Sequence, residues 1–147
     1  MAASPQQSEQ DLAAALRKGG GRVTPQRLHV FRTLRRLDKH ASAEEVTRAV
    51  SVDLPGVSVP TVYAALETLA DLGFARRVTV AKGATLYDPH VDDHHHIVCT
   101  RCGRVEDFET PVETDRALRV ARAKGFAPAR VELLVTGLCS DCAARGR

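Results

Sequence analysis

Apolar side chains recur at helical spacing through the first half of the chain. Leu12, Ala15 and Leu16 mark a short first helix that Gly19-Gly20-Gly21 stops. Thr24 and Pro25 suit the N-cap and first position of a second helix, whose Val30, Leu34 and Leu37 share a face widened by Leu28 and Phe31. Arg27, Arg32, Arg35 and Arg36 lie mostly off that face. Ser42-Ala43-Glu44-Glu45 has the capping-box form and opens a third helix with Val46, Ala49 and Val50 inward, ended by Leu54-Pro55-Gly56. Ser58 caps a fourth, with Val62, Leu66 and Leu69 on its inner face, Thr61, Tyr63, Ala64, Glu67 and Thr68 on the other, and Gly73 at its end.

The period then changes. Residues 74–80 and 84–87 read as two strands joined by a tight turn at Lys82-Gly83. Short helices followed by a hairpin outline a winged helix, with the fourth helix suited to the major groove and the hairpin and Arg-rich second helix to phosphate. A helical bundle with a solvated polar face has the same pattern. Further on, residues 105–108 read as a strand, residues 112–124 as a helix bounded by Pro111 and Gly125, and residues 131–138 as a strand. Val131, Leu133 and Val135 alternate there with Glu132, Leu134 and Thr136, and apolar content on both faces predicts cover from two sides, by the chain's own helix and by another subunit. A small sheet with one helix in about 60 residues is marginal alone, so a homodimer is expected.

Composition narrows the class. Aromatic residues are 4% of the 147 and Trp is absent, so the core must be aliphatic. No apolar run is long enough to span a bilayer and the first ten residues carry no secretory signal, so a cytoplasmic protein without a membrane partner is expected. The net charge of +3 is uneven: residues 1–89 hold twelve Lys or Arg against nine Asp or Glu, and the remainder holds nine of each. The surplus is a weak pull toward a polyanion.

The chemistry concentrates in residues 88–102, with four of the six histidines and two of the four cysteines. Cys99 and Cys102 form one CxxC and Cys139 and Cys142 another, 36 residues apart, with no cysteine left over. In a reducing compartment this pattern predicts a closed, tetrahedral structural zinc site, Gly103 easing the first turn; paired disulfides are the alternative. If residues 94–98 are extended, His94 and His96 point to one side and His95 to the other. Asp88 and Asp107 lie near, and two imidazoles with carboxylates suit Fe(II), Mn(II) or Zn(II). A solvated loop would show the same residues, and His40, at a helix end, reads by itself as a dipole partner.

These residues together resemble the ferric uptake regulator family. The marks are Arg22-Val23-Thr24-Pro25-Gln26-Arg27, Ser58-Val59-Pro60-Thr61-Val62-Tyr63 with Leu66, His94-His95-His96-Ile97-Val98-Cys99, and both CxxC pairs in order. The resemblance implies an α+β protein: a winged-helix DNA-binding domain over residues 1–86, a hinge over 87–93 and a small α/β dimerisation domain over 94–147. It implies a double-stranded DNA operator as partner, with Arg22, Gln26, Arg27, Ser58, Thr61 and Tyr63 as DNA contacts. It also implies a regulatory metal held by His40, Asp88, His94, His96 and Asp107, with His90 and His95 left out. Ligands from both domains would make the metal a clamp, which can favour the DNA-binding form only by binding that form more tightly.

Within the family, Asp at 107 resembles the peroxide-sensing branch, whereas iron-uptake regulators usually have Glu there. In that branch Fe(II) reacts with hydrogen peroxide, a ligand histidine is oxidised, with His40 and His94 the candidates, and the repressor releases DNA; Mn(II) activates without conferring sensitivity. Glu106 is adjacent, so strand register decides which carboxylate faces the histidines. An iron- or zinc-responsive uptake regulator is the alternative on the same scaffold. A small metal-dependent hydrolase is the alternative of another class, weakened because no general base stands apart from the ligands; no enzyme activity and no small organic substrate are expected.

Overall fold

The computed structural model describes residues 7–80 and 83–146. The chain divides into two compact units, one running to Thr79 and resuming over Gly83–Asp92, the other beginning at Asp93. Tyr87 and Asp88, the first residues of the hinge expected over 87–93, belong to a strand of the first unit.

In the first unit, helices α1 (Glu9–Lys18), α2 (Pro25–Leu37), α3 (Ala43–Val50) and α4 (Val59–Asp71) precede strands β1 (Arg76–Thr79) and β2 (Thr85–Asp88). The helix starts follow the local chemistry read from sequence. Thr24, Ser42 and Ser58 accept from the N–H three residues on, and at Ser42 the Glu45 carboxylate returns the bond to the Ser42 N–H at 2.9 Å. Helix α1 has a second capping box, Ser8 with Asp11, and α4 stops where Gly73 turns to φ 78°. Leu12, Leu16, Val30, Leu34, Val46 and Leu66 lie at the centre of one apolar cluster, with Phe31 edge-on to Phe74 at 5.8 Å. The antiparallel β1–β2 hairpin, a wing, is shorter than the expected residues 74–80 and 84–87 in its first strand and shifted by one in its second. Of its expected turn, Lys82 lies outside the described residues.

Ser42→Ala should lower stability by about 1 kcal/mol, as loss of a helix N-cap does, measured by urea denaturation. The Ser42 N–H holds the Glu45 carboxyl below its ordinary value. Glu45 therefore stabilises the fold above the ordinary glutamate range, and that contribution is lost as pH falls through the lowered folded value.

The second unit holds β3 (His95–Cys99), β4 (Val105–Phe108), α5 (Thr114–Ala123), β5 (Leu134–Gly137) and α6 (Ser140–Ala144). Strand β3 is central, antiparallel to β4 and parallel to β5. Three expectations are corrected. The strand expected over 131–138 is confined to the four residues that pair with β3, and the helix expected over 112–124 starts only after Glu113. Helix α6 has no counterpart in the sequence reading; its five residues are too few for periodicity to register. Nor does the helix cover the last strand: no α5 residue is buried, and Leu134, Val135, Leu138, Val120 and Phe126 are all exposed. The buried positions here are mostly donors: His94, His95, His96, Cys99 and Cys142, with Val98. Among the described residues no helix is long and apolar enough to cross a membrane.

Candidate metal centres and nucleic-acid surface

The four cysteines come from two turns of the second unit. Cys99 ends β3, and Gly103, at φ 75°, turns the chain so that its N–H donates to the Cys99 carbonyl at 2.9 Å. Cys139 is the N-cap of α6 and Cys142 lies within it. One ligand atom from each of the four lies within 4.8 Å of every other, and none is in a disulfide. Cys102 Sγ and Cys139 Sγ are 3.8 Å apart. Zinc–sulfur bonds of about 2.3 Å in a tetrahedron place sulfurs roughly 3.8 Å apart, so the cluster fits that ion. Without metal the thiols are unequal: backbone N–H groups at Cys102 and Cys139 pull Cys99 down to about 5, while burial and neighbouring thiols push Cys142 up to about 12.

Strand β3 begins at His95, and the side chains of His94 and His96 meet while His95 points elsewhere, the alternation expected from the sequence. His94 Nε2 and His96 Nε2 are 3.0 Å apart, and Asp107 Oδ1 is 3.6 Å from the first and 3.4 Å from the second. Adjacent donors on a metal with bonds of about 2.1 Å lie roughly 3.0–3.4 Å apart, so these three residues suit one ion. Register decides the carboxylate: His96 is opposite Asp107, and Glu106 is opposite Ile97 on the other face, paired with Arg104 at 2.5 Å. His95 faces away, but it is buried: its ring lies 5.4 Å from Phe108 and its Nδ1 accepts from the Leu133 N–H at 3.2 Å.

In the first unit His40 and Asp88 meet through a feature that periodicity does not carry. Ala41 and Tyr87 form an isolated antiparallel bridge, with N–H to O distances of 3.0 and 2.8 Å. The bridge sets His40 beside the end of β2, with His40 Nε2 3.2 Å from Oδ2 of the fully buried Asp88. His40 is therefore in a loop, past the α2 C-cap at Asp38, rather than a partner of the helix dipole. His90 contributes too: its N–H donates to Asp88 Oδ1 at 2.9 Å, and its ring bridges Asp88 and Asp38 at 3.1 and 2.9 Å. An Asp whose carboxylate accepts from the backbone N–H two residues on is the usual form of such a turn.

Of the expected DNA contacts, Arg22, Gln26, Arg27 and Thr61 line one concave surface with Ala64. Arg27 Nη1 donates to the Arg22 carbonyl at 2.6 Å, fixing the loop before α2. Ser58 Oγ is engaged as the α4 cap and lies 2.9 Å from the Thr61 hydroxyl, so it shapes the helix start. Tyr63 is half-exposed and meets Tyr87 edge-on at 6.4 Å. Behind α4, Glu67 accepts from the Tyr87 hydroxyl at 2.5 Å and from Arg77 on β1 at 2.9 Å. Arg77 and Tyr87 hold the Glu67 carboxyl below its usual value, and burial and the Glu67 charge push the Tyr87 hydroxyl up. The wing is tied to the presented helix by this network.

Four helices, a wing and a small α/β unit with converging thiols and imidazoles define a winged-helix protein with metal-binding groups. The profile of the Ferric uptake regulator family matches residues 18–136, and the chain belongs to that family, whose members are metal-responsive transcriptional regulators. The peroxide-responsive repressor PerR of Staphylococcus aureus is 31% identical over 129 residues, covering 88% of this chain and 87% of the relative. The ferric uptake regulator of Pseudomonas aeruginosa, solved with manganese, superposes with a TM-score of 0.70 at 27% identity, over 86% of this chain and 96% of that one. The peroxide stress regulator of Campylobacter jejuni superposes with a TM-score of 0.64 at 27% identity, over 92% and 99%.

Proposed function

We propose that the protein is a cytoplasmic, homodimeric repressor that binds operator DNA when a regulatory Fe(II) or Mn(II) is bound and releases it on reaction with peroxide. The observation that carries this reading is the register placing Asp107, and not Glu106, beside His94 and His96. The Staphylococcus aureus and Campylobacter jejuni relatives support it by name. The proposed ligands are His40, Asp88, His94, His96 and Asp107, supported by the donor groupings within each unit and by the family resemblance. No thiolate is among them, which suits an exchangeable ion, while Cys99, Cys102, Cys139 and Cys142 would hold structural zinc. Bound Fe(II) would supply the electron transfer that opens the O–O bond of hydrogen peroxide; peroxide is the oxidant, one of its oxygens would add to a ligand imidazole, His40 or His94, and the other would leave as water.

Arg22, Gln26, Arg27, Ser58, Thr61 and Tyr63 are the proposed DNA contacts; the concave surface lined by Arg22, Gln26, Arg27 and Thr61 and the half-exposed Tyr63 support the reading, and Ser58 rests on the family resemblance. Arginines there would neutralise phosphate, and affinity should fall steeply with salt. The exposed apolar residues of β5 and α5 support a dimer face. Val135→Asp should therefore yield monomer in sedimentation at concentrations where wild type is dimeric.

The test is gel shift on the protein's own promoter with Fe(II) or Mn(II), before and after low peroxide, with mass spectrometry of the protein. Metal-dependent binding, lost after peroxide with Fe(II) but kept with Mn(II), and an added oxygen on His40 or His94 are expected. Fe(II)-dependent binding that survives peroxide, with both histidines intact, would favour an iron- or zinc-responsive uptake regulator, the reading that the Pseudomonas aeruginosa neighbour supports. Binding that ignores metal altogether would remove both.

A further inference from the structure

His96 is fully buried, and each of its ring nitrogens has an assignable task. Nδ1 lies 2.7 Å from Oε1 of Glu132. A carboxylate oxygen accepts, so Nδ1 carries the proton and donates, leaving Nε2 with its lone pair. That Nε2 is the atom 3.0 Å from His94 Nε2 and 3.4 Å from Asp107 Oδ1. Glu132 is held in place by its neighbour: the Leu133 carbonyl accepts from the His96 N–H at 3.1 Å, and the Leu133 N–H donates to His95 Nδ1 at 3.2 Å. Its other carboxylate oxygen lies 3.8 Å from the Arg130 guanidinium.

We propose that Glu132 is a positioning residue for the metal centre, fixing His96 in the Nδ1-protonated tautomer with Nε2 aimed at the space shared with His94 and Asp107, and raising metal affinity without ligating. The inference rests on His96 being a ligand, as read above. A carboxylate behind a ligating imidazole excludes the wrong tautomer, locks the ring angle and makes the ligating nitrogen more basic. Burial strengthens the effect, because water cannot replace the acceptor at a ring that has no exposure.

The test uses full-length protein with its cysteine site loaded with zinc, and measures Mn(II) binding from the electron paramagnetic resonance of the free ion. Losing the outer partner of a ligating histidine costs about 10–100-fold in metal affinity. Glu132→Ala should lose that much. Glu132→Gln, which keeps the size and an acceptor oxygen but not the charge, should lose less and keeps the test valid if the alanine variant misfolds. Nitrogen NMR of histidine-labelled protein should find the His96 proton on Nδ1 in wild type and a mixture of the Nδ1–H and Nε2–H tautomers in Glu132→Ala, a change that a merely structural contact would not produce.

The proposal is overturned if both Glu132 variants bind Mn(II) as tightly as wild type while His96→Ala does not bind. It is equally overturned if the wild-type proton sits on Nε2, or if a Mn(II)-loaded crystal structure shows a Glu132 oxygen bonded to the metal. If His96→Ala itself binds Mn(II) normally, the metal centre proposed above is wrong and the role of Glu132 falls with it.

Discussion

Cys142→Ser is expected to release zinc and unfold the second unit while leaving the first folded. The two units differ in what fills them. The first has an apolar cluster containing Leu12, Leu16, Leu34, Leu66 and Leu69; the second buries Val98 among histidines and cysteines, and its helix α5 buries nothing. Hydrophobic burial within one chain is slight in such a unit, so bound zinc and the proposed second subunit are expected to hold it. A structural zinc contributes an apparent binding free energy of about 10–16 kcal/mol, against about 5–15 kcal/mol for the whole stability of an ordinary domain. Removing a ligand therefore outweighs any loss from packing. Metal analysis should find zinc gone, and circular dichroism should lose the helical signal of α5 and α6 but keep that of α1 to α4. Chelator should act the same way on wild type. Acid should too: the Cys142 thiol, pushed up to about 12, must give up its proton for zinc to bind, so zinc affinity weakens as pH falls. Retention of one zinc per chain with unchanged melting would show that the cluster does not hold this unit together.

What the sequence carried and what it did not follow from the range of the interactions. The caps at Thr24, Ser42 and Ser58 act over three residues, and each is where the sequence puts it. Alternation of His94, His95 and His96 is likewise local, given an extended chain. The pairing that matters for the carboxylate is less so. Asp107 and Glu106 are equivalent in composition, and only the register of β3 with β4 separates them.

Longer-range contacts left no periodic trace. His40 comes to Asp88 because Ala41 pairs with Tyr87, two backbone hydrogen bonds spanning a helical module whose sequence says nothing of them. Glu132 falls within the alternation expected over 131–138 but precedes β5, and its partner His96 is 36 residues away. His90 and His95, which the resemblance leaves out of the ligand set, prove to be structural partners of Asp88 and of Leu133.

The second large effect is expected from one carboxylate and not its neighbour. Asp107→Ala should abolish Mn(II)-dependent operator binding, and Glu106→Ala should leave it intact. Asp107 Oδ1 sits 3.4 Å from His96 Nε2, where its charge would offset that of a divalent ion; Glu106 is half-exposed on the opposite face and engages Arg104. Surface pairs of the latter kind contribute about 0–1 kcal/mol, so losing Glu106 should barely register. Losing a ligand should cost more than the roughly 10–100-fold that attends loss of an outer partner. A ligand moves a two-state equilibrium only through its preference for one state, and swinging it from 1:99 to 99:1 needs about 10⁴-fold. A centre weakened beyond 100-fold no longer supplies that preference at the Mn(II) concentration that saturates wild type, and the DNA-bound fraction falls to that of metal-free protein. Gel shift across a Mn(II) titration measures both variants together. The reverse pattern, with Glu106→Ala defective and Asp107→Ala normal, would mean that Glu106 supplies the carboxylate, and the peroxide-sensing reading would lose the observation that carries it.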